Sequence, residues 1–463
     1  MIRVFRHYIP RTQLALCAID ALLLFGSVYA SVAIVFSDVA ERVLVGELWS
    51  KALGFTIVTM VLMTMTGLYQ RWLRDDLRGL LFRTSVAFLF GLLAMAIVHT
   101  LQPKWSIGIG AFAVAFVLAA AGIVFFRTTV YVFADSSLFR RRVVVLGAGK
   151  RAQTIGRLRR RSDRRDLELV GFLALPGEEP ALTLPAPVYE CAPGELSSGV
   201  RRLRAEELVV AADPGTSLPL AELLDCKLGG TRILALPGFF EQQSGRIELD
   251  ALDADDLVFQ EGFIQAVVKG YAHRCLDVFL SAVGLLVGAP LMLMTALAIF
   301  VEAGFSGPVL YRQTRVGRGG RAFEILKFRS MRVDAEAAGA QWALTNDSRI
   351  TRVGGFIRRT RLDELPQLFN VIKGDMSFVG PRPERPEFVE HLRAVVPFYD
   401  LRHCVNPGIT GWAQICYPYG STDEDARRKH EYDMYYIKNY SVFLDLTILI
   451  QTAQVVLWGQ GAR

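Results

Sequence analysis

Four long apolar segments in the first third of the chain constrain its fold most strongly. They cover residues 13–36, 48–69, 80–100 and 105–133. A helix needs about 20 residues to cross the hydrocarbon core of a bilayer, and each segment reaches that length. Three segments follow the first at once, which argues against a cleaved signal peptide alone. The sequence therefore predicts a transmembrane α-helical bundle of four helices over residues 1–135.

Basic residues mark alternate ends of these segments. The clusters comprise Arg3, Arg6 and Arg11, then Arg71, Arg74 and Arg78, then Arg140, Arg141 and Arg142. The intervening loops, 37–47 and 101–104, are poor in basic residues. Because basic loops stay in the cytoplasm, this pattern places the N-terminus and everything after residue 134 on the cytoplasmic face. The net charge of +7 follows this topology, so we expect no nucleic-acid partner.

Asp20 lies inside the first predicted span. A carboxylate within a membrane is by default a candidate functional group. The alternative is a buried residue that packs helices together. We favour packing, since no other feature of the four segments indicates a transport path.

A glycine-rich turn opens the middle third of the chain. Residues 143–149 read Val-Val-Val-Leu-Gly-Ala-Gly, giving the pattern Gly147-x-Gly149-x-x-Ala152. Further strands are predicted at 167–174 and 207–212, so we predict an α/β Rossmann-like domain over 140–250. The second strand ends without the acidic residue that binds a ribose, and no YxxxK pair follows. We therefore assign no cofactor-binding residues, and expect ligand sensing or dimerisation rather than catalysis.

A fifth apolar segment covers residues 276–302 and contains Pro290. Its length would suffice to cross a membrane, but basic residues flank both ends. They are Lys269, His273 and Arg274 before it and Arg312, Arg315, Arg318 and Arg321 after it. Proline bends a helix at mid-length. We predict a re-entrant helix that enters the inner leaflet and returns; the alternative is a fifth spanning helix.

Asp363 and Glu364 form an adjacent carboxylate pair beside Arg358, Arg359 and Arg361. Basic groups can bind phosphate oxygens while a carboxylate binds a cation, so the pattern suits a Mg²⁺-bound diphosphate. The alternative is a helix cap at Thr360. Since Pro366 would interrupt such a helix, we instead expect a helix to start or kink at Pro366.

Two further basic motifs accompany the carboxylate pair. Lys327 and Arg329 are two residues apart, and would share one face of an extended strand. Arg382 lies between Pro381 and Pro383, whose fixed φ angles stiffen the backbone around it. Such rigidity suits a preorganised phosphate contact. The alternative is a rigid turn that is exposed to solvent and binds nothing, which the same sequence would also form.

These motifs resemble those of the bacterial monotopic phosphoglycosyl transferases, which are polyprenyl-phosphate hexose-1-phosphate transferases. The matching segments are Lys327-Phe-Arg-Ser-Met, Leu362-Asp-Glu-Leu-Pro-Gln, Gly374-Asp-Met-Ser-Phe-Val-Gly-Pro-Arg-Pro and Pro407-Gly-Ile-Thr-Gly-Trp. The resemblance covers about 269–463 and implies an α+β monotopic catalytic domain with a re-entrant membrane helix. The four spans and the middle domain resemble the long members of the family.

The resemblance implies a role for each candidate residue. Asp363 would be the nucleophile that attacks the β-phosphate of a UDP-sugar, releases UMP and forms an aspartyl-phosphosugar. Undecaprenyl phosphate would then accept the sugar phosphate, which initiates exopolysaccharide or O-antigen synthesis. Glu364 would ligate Mg²⁺. Arg358 and Arg382 would contact phosphates, and Lys327 and Arg329 match the basic motif after the re-entrant helix.

The resemblance also implies a bacterial inner-membrane enzyme that contacts membrane lipid. We expect glucose-1-phosphate from UDP-glucose, then galactose, ahead of N-acetylated sugars. Two other functions stay open: a membrane-bound NAD-dependent nucleotide-sugar dehydratase or epimerase, and a non-enzymatic polysaccharide scaffold. Tightly bound NAD would favour the former, and an inconsequential Asp363→Asn change the latter. A homodimer through the membrane and middle regions is a further hypothesis.

Overall fold

The computed structural model describes most of the chain. It covers residues 2–4, 7–9, 11–36, 47–69, 77–102, 107–133, 140–158, 167–178, 181–252, 257, 262–263, 267–333, 349–418, 420 and 422–457. The loop 37–46 and the residues Arg6, Arg71, Arg74 and Lys104, used above to predict orientation, lie outside this part. The chain divides into two units: Met1–Val4 with Tyr8–Ser244, and Phe5–His7 with Gly245–Arg463. Each unit is described by itself.

Four long helices form the first part of the first unit and coincide with the four predicted apolar segments. They are α1 (Arg11–Val35), α2 (Leu48–Met65), α3 (Leu77–Leu101) and α4 (Ile109–Phe133). Two short strands, β1 (Ile2–Val4) and β2 (His7–Ile9), precede them. The helices bury a common core that includes Leu24, Phe55, Ala115 and Ile123. All four, with one later helix, are long and apolar enough to cross a membrane.

Asp20 is fully buried inside this bundle and forms an ion pair. Its Oδ2 accepts hydrogen bonds from Arg127 Nη2 at 2.5 Å and from the Tyr69 hydroxyl at 2.7 Å. Arg127 also donates to the Leu68 carbonyl at 2.8 Å. An unpaired charge in hydrocarbon is costly, and this pairing links α1, α4 and the end of α2. The packing interpretation of Asp20 is thus supported over a transport role.

Breaking this ion pair from one side is expected to cost more stability than removing it whole. Asp20→Leu should destabilise the protein by about 3 kcal/mol, because Arg127 would be left buried without its counter-charge. The double change Asp20→Leu with Arg127→Leu should cost less than the sum of the single changes. Thermal unfolding of the full-length protein in nanodiscs would measure this. Thr129→Val is the control, because the Thr129 hydroxyl donates to the Phe125 carbonyl of its own helix. Additive losses would contradict the prediction.

A parallel five-stranded sheet forms the second part of the first unit. Its strands are β3 (Arg141–Leu146), β4 (Leu167–Ala174), β5 (Val188–Glu190), β6 (Glu207–Val210) and β7 (Arg232–Ala235), in the order β5-β4-β3-β6-β7. The helices are α5 (Lys150–Gln153), α6 (Leu196–Arg202), α7 (Leu220–Leu228) and α8 (Leu236–Ser244). The strands are rich in β-branched residues, and Val144 and Leu146 are fully buried. The sheet thus agrees with the predicted α/β domain.

The second unit holds the region after residue 244. Its helices are α9 (Val267–Glu302), α10 (Arg352–Arg359), α11 (Gln367–Lys373), α12 (Pro386–Val395), α13 (Trp412–Cys416), α14 (Asp423–Lys438) and α15 (Val442–Leu457). Its strands are β8 (Leu310–Val316) and β9 (Ala322–Phe328), an antiparallel hairpin, and β10 (Ser377–Val379) and β11 (Gly408–Thr410), a parallel pair.

The structure differs from the sequence predictions at two boundaries in this unit. Residues 245–250, which the sequence placed with the α/β domain, belong here: the Gly245 carbonyl accepts a hydrogen bond from Trp412 Nε1 at 2.7 Å. Helix α9 starts at Val267 rather than 276 and continues through Pro290. Hydropathy alone misplaced its start, because the first turns of α9 carry polar residues.

The C-terminal segment 441–458 is apolar but carries Asp445, and its sequence favours an amphipathic helix on the membrane over a spanning helix. In α15 this carboxylate is buried, and it binds His273 Nδ1 at 2.5 Å and the Tyr436 hydroxyl at 2.8 Å. Its polarity therefore serves contacts with α9 and α14 inside the domain.

Candidate active site

The two candidate carboxylates lie on a short 3₁₀ turn, Leu362–Glu364, between α10 and α11. Arg361 immediately precedes the turn in the left-handed conformation, with φ of 60°. This is a strained backbone for a residue other than glycine, so the surrounding structure must hold it. Helix α11 begins directly after Pro366, as predicted. The Thr360 hydroxyl donates to the Phe356 carbonyl of α10, and so does not form the alternative N-terminal cap.

Glu364 lies within a group of cationic side chains. Its Oε1 accepts hydrogen bonds from Lys327 Nζ at 3.0 Å and from Arg382 Nη2 at 3.2 Å. Arg361 Nη1 lies 3.7 Å from Oε2. Burial by itself would raise the pKa of Glu364, but Lys327, Arg382 and Arg361 outweigh it and hold that pKa well below its usual range. The cations around Glu364 therefore favour its ionised form.

Asp363 has a different environment. Its side chain is buried, and its Oδ1 has no hydrogen-bond partner in the described structure. Burial and the negative charge of Glu364 raise the pKa of Asp363, against the opposing charges of Lys327 and two nearby arginines. A poorly solvated carboxylate with an unpartnered oxygen is a suitable nucleophile, because few hydrogen bonds must break before that oxygen attacks.

The acid limb of the pH profile is expected to report Asp363. A protonated carboxyl cannot attack, so activity should be lost as pH falls through the raised pKa of Asp363. Glu364→Gln removes the adjacent negative charge and should move this limb to lower pH. The measurement is the pH dependence of kcat/KM in both proteins. A limb that stays in place or moves upward would contradict the assignment.

The carboxylate turn is anchored from both sides. Asn370 of α11 accepts a hydrogen bond from Leu326 N at 3.0 Å and donates to the Glu324 carbonyl at 2.7 Å. This ties α11 to strand β9, which carries Lys327. One residue further along α11, the Val371 carbonyl accepts a hydrogen bond from Arg274 of α9 at 2.5 Å. Helix α9 therefore helps to position α11 and the carboxylate turn before it.

Arg382 is held by its own backbone. Its carbonyl accepts a hydrogen bond at 2.8 Å from Arg402, which is buried and pairs with Asp433 at 3.2 Å. The next carbonyl, that of Pro383, accepts from Arg315 at 3.1 Å. A Cβ at Gly380 would lie 2.3 Å from the Asn406 carbonyl oxygen, so only glycine fits before this turn. These contacts support the prediction of a preorganised arginine.

The structure brings together most of the predicted site residues. Lys327, Arg382 and the carboxylate pair form one cluster, and Arg358 contributes a positive charge to the surroundings of Asp363. Arg358 Nη1 is buried and unpartnered in the described structure. Arg329 follows directly after β9, and its guanidinium lies beside Gly307. Its Nη1 is buried without a partner in the described structure, and its role in the site stays a prediction.

A small cavity beside Glu364 shows which residues the sequence analysis missed. Its lining comprises Arg315, Ile325, Lys327, Gln367, Arg382, Pro383 and Gly408. Arg315 appeared in the sequence analysis only as a topological charge, and Gln367 only as the end of a motif. Gln367 Nε2 is buried there without a described partner, which makes it a candidate donor to a ligand. The signal available in the sequence was the position of Gln367 in the motif that carries the carboxylate pair.

The donor set is compatible with Mg²⁺. This ion prefers oxygen ligands and commonly uses one or two carboxylates with substrate phosphates and water. Glu364 is ionised and is the candidate oxygen ligand, while the unpartnered Oδ1 of Asp363 is kept as the candidate nucleophile. Glu364 Oε1 interacts with Lys327 and Arg382, and these two cations are also suited to bind phosphate oxygens.

Comparison with known proteins adds independent support. Residues 268–459 match the family described as "Bacterial sugar transferase". The chain is 43% identical over 241 residues to a UDP-N-acetylgalactosamine-undecaprenyl-phosphate N-acetylgalactosaminephosphotransferase of Aeromonas hydrophila, covering 52% of this chain and 56% of that protein. It is 47% identical over 184 residues to a UDP-glucose:undecaprenyl-phosphate glucose-1-phosphate transferase of Xanthomonas campestris pv. campestris, covering 39% of this chain and 38% of that protein.

A shorter relative is covered almost whole. The exopolysaccharide production protein PSS of Rhizobium leguminosarum bv. phaseoli is 42% identical over 189 residues, which cover 39% of this chain and 92% of that protein. These matches lie in the second unit, which carries the carboxylate cluster. The chain belongs to the bacterial sugar transferase family. It spans about half or less of the two longer relatives.

Proposed function

We propose that this protein transfers a hexose-1-phosphate from a UDP-sugar to undecaprenyl phosphate and thereby initiates exopolysaccharide or O-antigen synthesis. The observation that carries the proposal is the pairing of a nucleophile-like Asp363 with an ionised Glu364 inside a cationic cluster. The relatives named for transfer to undecaprenyl phosphate, and the one named for exopolysaccharide production, support the substrates and the pathway class.

In the first step a carboxylate oxygen of Asp363 attacks the β-phosphorus of the UDP-sugar. The bond from that phosphorus to the bridging oxygen breaks, and UMP leaves with the electron pair. The product is an aspartyl-phosphosugar on Asp363. Lys327, Arg358 and Arg382 would neutralise the diphosphate charge during this step.

In the second step an oxygen of undecaprenyl phosphate attacks the same phosphorus. The acyl-phosphate bond breaks, and Asp363 regains its carboxylate while undecaprenyl-diphospho-sugar forms. Covalent catalysis separates the water-soluble donor from the lipid acceptor, so the site need not hold both together. Glu364 would ligate Mg²⁺, which when bound would offset phosphate charge.

The re-entrant form of α9 belongs to this proposal, and its contacts support it. Near its start, Asp277 accepts a hydrogen bond from Phe378 N at 2.8 Å. At its end, Glu302 accepts one from Val353 N at 3.1 Å. Both ends thus contact the same catalytic domain, while middle residues such as Leu286 and Leu293 are largely exposed and apolar. A helix crossing the bilayer would separate its ends on opposite faces.

The cytoplasmic position of the catalytic domain in the bacterial inner membrane is also proposed. It rests on the basic clusters at alternate ends of the spans. Undecaprenyl phosphate and membrane lipid would then meet the site at the inner leaflet. A homodimer stays a hypothesis, tested by the mass of the protein in nanodiscs.

Glucose stays the expected sugar, but the relatives include proteins named for glucose and for N-acetylgalactosamine. The deciding experiment is UMP release by the purified full-length protein with undecaprenyl phosphate, Mg²⁺ and a panel of UDP-sugars containing both. Release with one donor, dependent on the lipid for multiple turnovers and abolished by EDTA, would support the proposal. No release with any donor would contradict it and favour the scaffold alternative.

A further inference from the structure

The glycine-rich turn of the α/β domain is closed by the chain's own carboxylates. Asp213, three residues beyond β6, accepts hydrogen bonds from the backbone N–H groups of Lys150 at 2.9 Å and Arg151 at 2.8 Å. These N–H groups open helix α5, directly after Gly147-Ala148-Gly149. In a nucleotide-binding α/β fold, N–H groups at this place point at the pyrophosphate.

A second carboxylate completes the closure. Glu178, shortly after β4, accepts a hydrogen bond from Ala148 N at 3.0 Å with one oxygen. Its other oxygen accepts from Asp213 N at 2.8 Å. The two acidic residues thus hold each other in place, and together they use three backbone donors of the turn.

Steric evidence places Asp213 where a ligand phosphate would approach the backbone. A Cβ at Gly149 would lie 2.2 Å from Asp213 Oδ2, so the absence of a side chain there accommodates this carboxylate. In dinucleotide-binding turns the second glycine instead allows the pyrophosphate to come close. The strand order β5-β4-β3-β6-β7 is that of such folds, which supports the Rossmann-like interpretation of this domain.

We infer that this Rossmann-like domain is self-liganded: Asp213 and Glu178 occupy its phosphate position, and the domain takes no dinucleotide there. A pyrophosphate would have to displace two carboxylates from satisfied hydrogen bonds and would meet their negative charge. NAD therefore does not fit this turn. From the sequence, ligand sensing or dimerisation was expected for this domain. The closed turn favours a role that does not depend on a nucleotide. This role is separate from the proposed transferase reaction.

Hydrogen–deuterium exchange of the full-length protein in nanodiscs tests this inference. In the wild type, millimolar NAD⁺ or NADP⁺ should leave exchange of the segment 147–153 unchanged. Asp213→Ala should speed exchange in that segment about tenfold, because the amides of Lys150 and Arg151 lose their acceptor. Asp213→Asn, which keeps one acceptor oxygen, should give an intermediate rate and guards against misfolding of the alanine variant.

A matched control is available in the same domain. Glu222 accepts hydrogen bonds from Gly194 N and Leu196 N, both at 2.9 Å, at the start of α6. Glu222→Ala should speed exchange there and leave 147–153 unchanged. Protection of 147–153 by NAD⁺ or NADP⁺ in the wild type, or unchanged exchange in both Asp213 variants, would overturn the inference. UMP release in the same samples reports the transferase separately, so failure of one proposal is distinguishable from failure of the other.

Discussion

Asp363→Asn is expected to abolish UMP release, with a loss of at least ~10³-fold in kcat. Asparagine has nearly the same shape, but its amide oxygen is a poor nucleophile and cannot form the acyl phosphate. Because Asp363 is buried with one oxygen unpartnered, the substitution should leave the fold intact. It also removes a charge whose burial is unfavourable. We therefore expect unchanged or slightly higher thermal stability together with lost activity.

Asp423→Asn provides the matched control. Asp423 lies in the same domain, its side chain is about half exposed, and it pairs with His391 on the surface. Its replacement should leave UMP release within about twofold of the wild type. If Asp363→Asn kept substantial activity, Asp363 would not be the nucleophile.

Lys327→Met is expected to give the second largest loss, about 10²-fold in kcat/KM. Lys327 is the cation nearest to Glu364, and its Nζ donates to Oε1 at 3.0 Å. Removing it leaves more uncompensated negative charge beside Asp363. This should raise the pKa of Asp363 further and weaken attraction for the diphosphate. The acid limb of the pH profile should therefore move upward, opposite to the shift expected for Glu364→Gln.

Lys373→Met is the control for this change. Its side chain is mostly exposed and pairs with Asp375 at the end of α11. A surface pair of this kind contributes little, so activity and the pH limb should stay near those of the wild type. Equal losses in the two lysine variants, or an unmoved limb in Lys327→Met, would contradict the proposed role of Lys327.

Sequence reasoning succeeded where the signal is local. The four spans depend on runs of apolar residues, and the start of α11 depends on Pro366 and the residues around it. The grouping of Lys327, Arg382 and the carboxylate pair came from motifs that lie close together only after folding. The carboxylate pair and the neighbouring basic residues predicted phosphate and metal binding. The family resemblance predicted that the separate motifs form one site.

Sequence reasoning failed where a residue's partner is distant in the chain. The burial of Asp445 depends on its contact with His273, which no local pattern indicates. The support of Arg382 by the Arg402–Asp433 pair has no sequence pattern at all. The glycine-rich turn has the sequence of a ligand site. The motif contains the glycines, but it does not include Asp213, whose carboxylate fills the space beside Gly149. In each case tertiary packing decides the outcome.

The most direct test of the central claim is a single-turnover measurement with UDP-sugar and Mg²⁺ in the absence of undecaprenyl phosphate. We expect a burst of up to about one UMP per active protein molecule, together with a sugar-phosphate adduct on the peptide containing Asp363. Adding undecaprenyl phosphate should discharge the adduct. A reaction that releases UMP only when both substrates are present, with no adduct on Asp363, would contradict the covalent mechanism.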